Sequence, residues 1–207
     1  MSLLIGISGG SGSGKTSFIN ELCAQFDKNE ICVVSQDDYY RNRREIATDD
    51  NGITNFDVPE AFYLDEFARD IRLLKSGREV TRQEYTFNNS EKDPRMLIFS
   101  PAPIIVIEGL FVFHERDIFD QLDMKLLINA KISDKIIRRI HRDRIERNYP
   151  LEDVLYRYQN HVLPAYEKYI YPYKDEVDLI VNNSKNYSMG LTIVAGYLKN
   201  YLSFLKI

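Results

Sequence analysis

Five of the chain's ten glycines fall within its first fourteen residues, at Gly6, Gly9, Gly10, Gly12 and Gly14. They follow the apolar run Leu3 to Ser8, which reads as a strand, and precede Phe18, Ile19, Leu22, Cys23 and Phe26, which recur at helical spacing. At the junction stands Gly9-Gly10-Ser11-Gly12-Ser13-Gly14-Lys15-Thr16, a complete G-x-x-x-x-G-K-[ST] pattern. Backbone N–H groups converge on phosphate oxygens only where no Cβ blocks the approach, and glycine meets that need. The following helix aims its N-terminus at the anion. Lys15 then reaches the β and γ phosphates and the Thr16 hydroxyl binds Mg²⁺. A flexible glycine turn would account for the glycines alone, but not for a strand before them and a helix opening on Lys-Thr.

The next apolar run, Ile31 to Ser35, completes a strand–loop–helix–strand unit, which implies a parallel sheet with a right-handed crossover. Further strands are expected at Ile104–Ile107, Lys125–Ile128 and Leu179–Val181. Helices are expected from Pro59 to a stop at Gly77, with Leu64, Phe67, Ala68, Ile71 and Leu74 as the apolar face, and at Ser133–Asn148. Two more are expected at Leu151–Tyr171, interrupted near Pro164, and at Tyr187–Leu202. Residues Arg78 to Ser100 read as irregular with short strands. This alternation predicts an α/β P-loop NTPase fold: a doubly wound parallel sheet flanked by helices. One domain spans 1–207, with 131–173 as a mobile basic helical lid and acceptor-side helices.

A P-loop specifies a nucleotide, not a reaction, so the second site comes from elsewhere. Glu108 closes the run Ile104 to Ile107 and so stands at a strand's carboxyl end, where such sheets bind ligands; it fits a Mg²⁺-linked role beside Thr16. Asp37 follows the second strand at the same edge and is placed to accept a hydroxyl proton as that oxygen attacks the γ-phosphate. From Lys131 to Asn148 there are seven Lys/Arg against three Asp/Glu. At helical pitch Lys135, Arg139 and Arg142 share roughly 60° of arc, beside a stripe of Ile132, Ile136 and Ile140. Such a helix can swing over a triphosphate and neutralise transferred charge. Lys15, Asp37, Arg139 and Arg142 are thus the expected catalytic residues.

The net charge of −4 gives the surface no general attraction for nucleic acid. No run of 18 apolar residues suggests a membrane span, and the first residues do not read as a signal peptide. Cys23 and Cys32 fit reduced, packed thiols in the cytoplasm. His114, His141 and His161 are scattered, with no zinc-site spacing. Residues Tyr149 to Tyr173 hold seven of the fourteen tyrosines, a pattern that suits helix packing.

The chain resembles the uridine kinase (uridine–cytidine kinase) family over nearly its whole length. The resemblance rests on Gly9–Thr16, Gln36-Asp37 with Tyr40, Asn55-Phe56-Asp57-x-Pro59-Glu60-Ala61-Phe62, Tyr85-x-Phe87, Glu108-Gly109 and Arg138-Arg139-x-x-Arg142-Asp143-x-x-Glu146-Arg147. Val162-x-Pro164 and Asp178 to Val181 follow the same order. It implies phosphorylation of a ribonucleoside 5′-hydroxyl, uridine or cytidine, in pyrimidine salvage, with ATP or GTP as donor and Mg²⁺. It also implies a homotetramer. By the same resemblance Asp37 is the base and Asp57 grips the ribose hydroxyls. Tyr40, Tyr85 and Phe87 line the nucleoside pocket, while Arg139, Arg142 and Arg147 come from the lid. Three positions depart from the family pattern: Ser90, Tyr149 and Arg157 replace a histidine, an arginine and a glutamine on the nucleoside side. Another acceptor, such as pantothenate, a sugar phosphate or glycerate, therefore stays open, as does a non-catalytic regulator. A GTP switch does not fit, because the chain has no N-K-x-D motif.

Overall fold

The computed structural model describes residues 2–86, 93–145 and 148–205. Strands β1 (Leu3–Ser8), β2 (Ile31–Ser35), β5 (Ile104–Glu108), β6 (Met124–Asn129) and β7 (Leu179–Asn182) form one sheet in the order β2-β5-β1-β6-β7, every pair parallel. All residues of β1 and β5 are buried. Both strands are covered on two faces, which is why their sequences read as unbroken apolar runs.

Side chains alternate between the faces. Leu4, Ile105 and Ile107 meet Phe67, Ile71 and Leu74 of α2 (Leu64–Lys75) and Ile118 and Phe119 of α3 (Arg116–Phe119) on one side. Ile5, Ile7, Ile104 and Val106 meet Phe18 and Leu22 of α1 (Lys15–Cys23) and Val194 and Leu198 of α7 (Ser188–Leu205) on the other. The result is the doubly wound α/β architecture that the alternating pattern predicts. Among the described residues no helix is long and apolar enough to cross a membrane.

Several expectations need correction. Pro59 heads a single 3₁₀ turn, Pro59–Ala61, and α2 begins only at Leu64, with Asp65 and Glu66 in its first turn complementing the helix dipole. Gly77 does end it, at φ +84°. The stretch after it contains a hairpin, β3 (Val80–Gln83) antiparallel to β4 (Met96–Phe99). Pro164 does not interrupt its helix. The chain runs through α5 (Leu151–Arg157), a wider π-turn at Tyr158–Val162, α6 (Leu163–Ala165) and a second π-turn at Tyr166–Ile170. The wider turns accommodate a residue that lacks an N–H and would clash with the preceding turn.

Helix α4 (Ile132–Ile145) turns its cationic stripe inward, as a place over a triphosphate requires. Its buried residues are Lys135, Arg139 and Asp143, whereas Ile132, Ile137 and Ile145 are more than half exposed, and Ile136 and Ile140 are only partly covered. The isoleucines do not form a core face. Exchanging Ile137 for Ala should then change stability by no more than about 0.5 kcal/mol, while Ile105→Ala should cost about 2–5 kcal/mol. Urea unfolding of the two variants checks this; a large loss for Ile137→Ala would mean that Ile137 is buried after all.

Candidate active site

The glycine loop leaves β1 and closes a turn in which Ser13 N–H donates to the Gly10 carbonyl at 2.9 Å. Gly14, at φ +91°, caps α1, and a Cβ there would strike the Asn183 side chain. Gly12, at φ +78°, lies against the Lys135 carbonyl of α4, leaving no space for a side chain. Both glycines are demanded by left-handed backbone and by close neighbours at once. Asn183 Nδ2 donates to the Ser13 carbonyl at 2.8 Å, and Arg138 Nη2 donates to the Asn183 carbonyl at 2.9 Å. The end of β7 and the basic helix therefore hold the loop in shape. Lys135, itself buried, stands over Gly10 with its ammonium 3.5 Å from the Tyr166 ring centroid. Burial pushes its pKa down.

Lys15 starts α1 and pairs with Glu108. Strand register brings Glu108 beside Ser35, whose hydroxyl donates to Glu108 Oε1 at 2.5 Å. Burial works against the Lys15 ammonium, but the Glu108 carboxylate, helped by Asp37, outweighs it and holds the pKa above its ordinary value; Arg142 pulls it down. Lys15, Asp37, Glu108 and Arg142 thus lie within electrostatic range of one another. Burial likewise opposes the Glu108 charge, yet Lys15 and the Ser35 hydroxyl prevail and hold its pKa low. Asp37 N–H faces Ser35 Oγ at 3.3 Å in the short turn that leaves β2. Asp38 points elsewhere, to the hairpin, where it accepts from Tyr85 N–H at 3.2 Å, and burial pushes its carboxyl up.

The opposite wall is the segment carrying Asn55, Phe56 and Asp57. Asn55 Oδ1 accepts from Asp57 N–H at 3.0 Å and fixes the turn. Arg139 reaches across from α4. Its Nη1 donates to Ser11 Oγ at 2.8 Å and lies 3.9 Å from Asp57 Oδ1. Asp143 holds this guanidinium and its neighbour, with Arg139 Nε at 3.1 Å and Arg142 Nε at 2.9 Å. Tyr40 stacks on Phe62, ring centroids 4.0 Å apart, and on Tyr85, 5.1 Å apart. Beside them opens a cleft of about 380 Å³, lined by Asp38, Tyr40, Asn42 and residues Thr81 to Tyr85. Arg82 ties the hairpin to this edge, donating to the Asp38 carbonyl at 2.6 Å and pairing with Glu66 at 2.8 Å.

The structure thus groups the loop residues Gly9 to Thr16 with Asp37, Glu108, Arg139 and Arg142, and sets Asp57, Tyr40 and Tyr85 along the neighbouring wall. Phe87, Ser90 and Arg147 lie outside the described residues. Tyr149 is exposed, and Arg157 Nη1 donates to the Thr54 carbonyl at 3.1 Å. Ser35, Asn183 and Asp143 received no role from the sequence. Only strand register places Ser35 against Glu108, and only the folded sheet brings Asn183 to the loop. The i,i+4 spacing of Arg139 and Asp143 was a readable signal.

A parallel sheet with its phosphate loop, carboxylates and basic helix at one edge matches what comparison with known proteins finds. The family model "Phosphoribulokinase / Uridine kinase family" matches residues 4–189. The chain belongs to that family. It is 33% identical over 197 residues to a uridine kinase of Clostridium tetani, covering 95% of this chain and 94% of that one. A uridine kinase of Staphylococcus haemolyticus is 29% identical over 200 residues, covering 97% of each. Among solved structures, a possible uridine kinase from Bacillus stearothermophilus superposes with TM-score 0.62 at 18% identity, over 86% of this chain and 88% of that one. Phosphoribulokinase from Rhodobacter spheroides gives 0.60 at 19%, over 87% and 70%. These two likenesses concern the fold. Family membership makes the protein a P-loop kinase, a phosphotransferase with an alcohol acceptor.

The Lys15–Glu108 pair has a pH signature. A carboxylate held below its unfolded value, near 4.3, stabilises the fold above that pH, and the contribution is lost as pH falls through the folded value. Glu108→Gln leaves the Lys15 ammonium buried against a neutral amide and should cost up to about 3–5 kcal/mol near neutrality. The gap between variant and parent should narrow as pH drops from 5 toward 3. Urea unfolding at several pH values measures it; a gap that stays constant over that range would contradict the pairing.

Proposed function

We propose that this kinase transfers the γ-phosphate of ATP to the 5′-hydroxyl of a ribonucleoside, uridine or cytidine. The observation that carries the reading is the position of Arg139, bonded to Ser11 of the phosphate loop and 3.9 Å from Asp57 on the facing wall. One cation there serves both the donor phosphates and the acceptor. Asp57 accepts hydrogen bonds from vicinal ribose hydroxyls, and the Tyr40 and Tyr85 rings offer flat faces to a base. Asp37 takes the 5′-hydroxyl proton as that oxygen bonds to the γ-phosphorus and the bond to the ADP oxygen breaks. Lys15, Arg139 and Arg142 balance the charge that gathers on the transferred group. Residues 131–173 act as the lid, bringing these cations over the phosphates. The salvage role this implies belongs to the cytoplasm.

The family implies Mg²⁺, and the donor set fits it. Thr16 presents an exposed hydroxyl at the first turn of α1, and Glu108 and Asp37 add hard carboxylate oxygens at the same edge. Thr16 would hold the ion, with Glu108 and Asp37 beside it, and the ion would supply positive charge at the phosphate oxygens.

The polar lining of the cleft by Asn42, Thr81, Arg82, Gln83 and Glu84 favours a second reading, a smaller polyhydroxylated acceptor. A coupled assay of ADP release decides between them, run with ATP against uridine, cytidine, their 2′-deoxy forms, purine nucleosides, pantothenate, glycerate and sugar phosphates. Uridine or cytidine should be the best acceptor, with 2′-deoxy forms poor, because a site built to bind hydroxyls leaves its own groups unpaired when one is missing. Asp37→Asn should lower kcat by about 10²–10⁴-fold with little change in ATP affinity. Turnover of another alcohol and of no nucleoside would transfer the chemistry to that acceptor; Asp37→Asn at wild-type rate would remove Asp37 as the base.

A further inference from the structure

The segment that carries Asp57 is fastened at its far end by a polar cluster that the proposed chemistry leaves unused. Residues Thr48 and Thr54 pair across a tight loop whose tip is Asp49 to Gly52, with Gly52 at φ +75°. Asp49 is the centre. Its Oδ1 accepts from the backbone N–H of Asn51 at 3.0 Å and of Ile53 at 2.9 Å. Its Oδ2 faces out of the loop, toward the helical run after the lid helix. There it accepts from the Tyr156 hydroxyl at 2.8 Å and lies 2.7 Å from His161 Nε2. Asn51 Nδ2 donates to the same Tyr156 hydroxyl at 2.6 Å, and Arg157 donates to the Thr54 carbonyl.

Three features separate this cluster from ordinary surface polarity. His161 is only 2% exposed, so the imidazole end of its hydrogen bond is withdrawn from water, while Asp49 keeps some contact with it. A carboxylate with this many donors accepts only, so the imidazole carries its proton on Nε2, and Nδ1 is buried without a partner among the described residues. Among the described residues, the histidine's one hydrogen bond is therefore with Asp49. Finally, His161 lies in the π-turn Tyr158–Val162, the irregular stretch just before Pro164. Burial opposes the Asp49 charge, but these donors hold its carboxyl well below the usual carboxylate range.

We infer that Asp49 and His161, with Tyr156 as a second donor to Asp49, form a latch that positions the acceptor-binding segment 55–57 against the helices continuous with the lid. They are positioning residues, acting through Asp57. The inference rests on the reading of 55–57 as the acceptor wall. One end of the lid assembly is anchored to the phosphate loop, through Arg138 at the Gly12 and Ser13 carbonyls and Arg139 at the Ser11 hydroxyl. The other is anchored to the acceptor segment through His161. Lid placement and acceptor placement are thereby linked through two different contacts, one at Arg139 and one at the latch.

The test compares His161→Phe, which keeps the ring and removes its nitrogens, with His161→Gln, whose amide nitrogen can replace Nε2, and with Asp49→Ala. Hydrogen–deuterium exchange of the ligand-free protein over residues 46–57 reads the latch directly. His161→Phe and Asp49→Ala should speed exchange there by about 3- to 30-fold, and His161→Gln should restore protection, since coupled neighbours typically interact by that much. Steady-state kinetics with uridine and ATP read the positioning. His161→Phe should raise the uridine KM by a similar factor, with kcat and the ATP KM within about twofold of the parent, and the double variant should be no worse than Asp49→Ala alone. Unchanged exchange in His161→Phe overturns the latch. Faster exchange with an unchanged uridine KM overturns the positioning role, as does an equal fall in kcat with either substrate. If the parent does not phosphorylate uridine, the acceptor reading fails, and the exchange experiment still decides the latch.

Discussion

Two cationic side chains, Lys135 and Arg139, are buried on the inner face of α4, and such burial is sustained only when anions or π-faces stand close by. Lys135 has the Tyr166 ring; Arg139 has Asp143 on its own helix, Asp57 across the gap and the Ser11 hydroxyl. The remaining electrostatic demand is met by what a P-loop is built to hold, the phosphates of a nucleotide. This requirement explains several otherwise separate features. The glycine at position 12 lets the α4 backbone approach the loop, Arg138 and Asn183 clamp the loop carbonyls, and Ile132, Ile137 and Ile145 of α4 are left facing outward.

The sheet supplies the fixed frame against which that helix works. Parallel pairing sets Ser35 level with Glu108, and the turn after β1 brings Lys15 to the same point. A buried ion pair of this kind is weak evidence for stability, because desolvation offsets much of the attraction. Its value here is positional: Glu108 and the Ser35 hydroxyl fix one side of the lysine while the carboxylate of Asp37 approaches from the next strand end. The ammonium is therefore held at the loop without being neutralised. Lys15 and Glu108 stay with the sheet; Arg139 and Arg142 stay with α4. Closure and opening of the proposed lid would exchange only the second pair.

Much of this was legible in the chain because the central strands β1 and β5 are covered on both faces. Leu3–Ser8 and Ile31–Ser35 read as strands at their observed bounds, and the glycine pattern places the loop between strand and helix without ambiguity. The cationic stripe of α4 was legible as the one to lie over the phosphates; that the isoleucines beside it would be left largely exposed was not. Pro164 misled because a proline is read as a break, yet π-turns on either side absorb it. Ser35, Asn183 and the Asp49–His161 contact depend on register or on residues more than a hundred positions apart. Arg157 stands at a nucleoside-side position of the family pattern, but its guanidinium is spent on the Thr54 carbonyl, which no local pattern indicates.

On the proposed reading, one guanidinium, Arg139, joins the donor and acceptor sides. Binding free energies measured for the two ligands together test it, because such coupling is reciprocal and vanishes when the shared contact is removed. Calorimetric titration of uridine into the protein, with and without a non-hydrolysable ATP analogue, gives the coupling factor for the parent chain and for Arg139→Gln. The analogue should tighten uridine binding to the parent by about 5- to 150-fold, and the factor should fall toward one in the variant. A parent that binds uridine equally well with and without the analogue, or a variant that keeps the full factor, would contradict the claim that Arg139 connects the two sites.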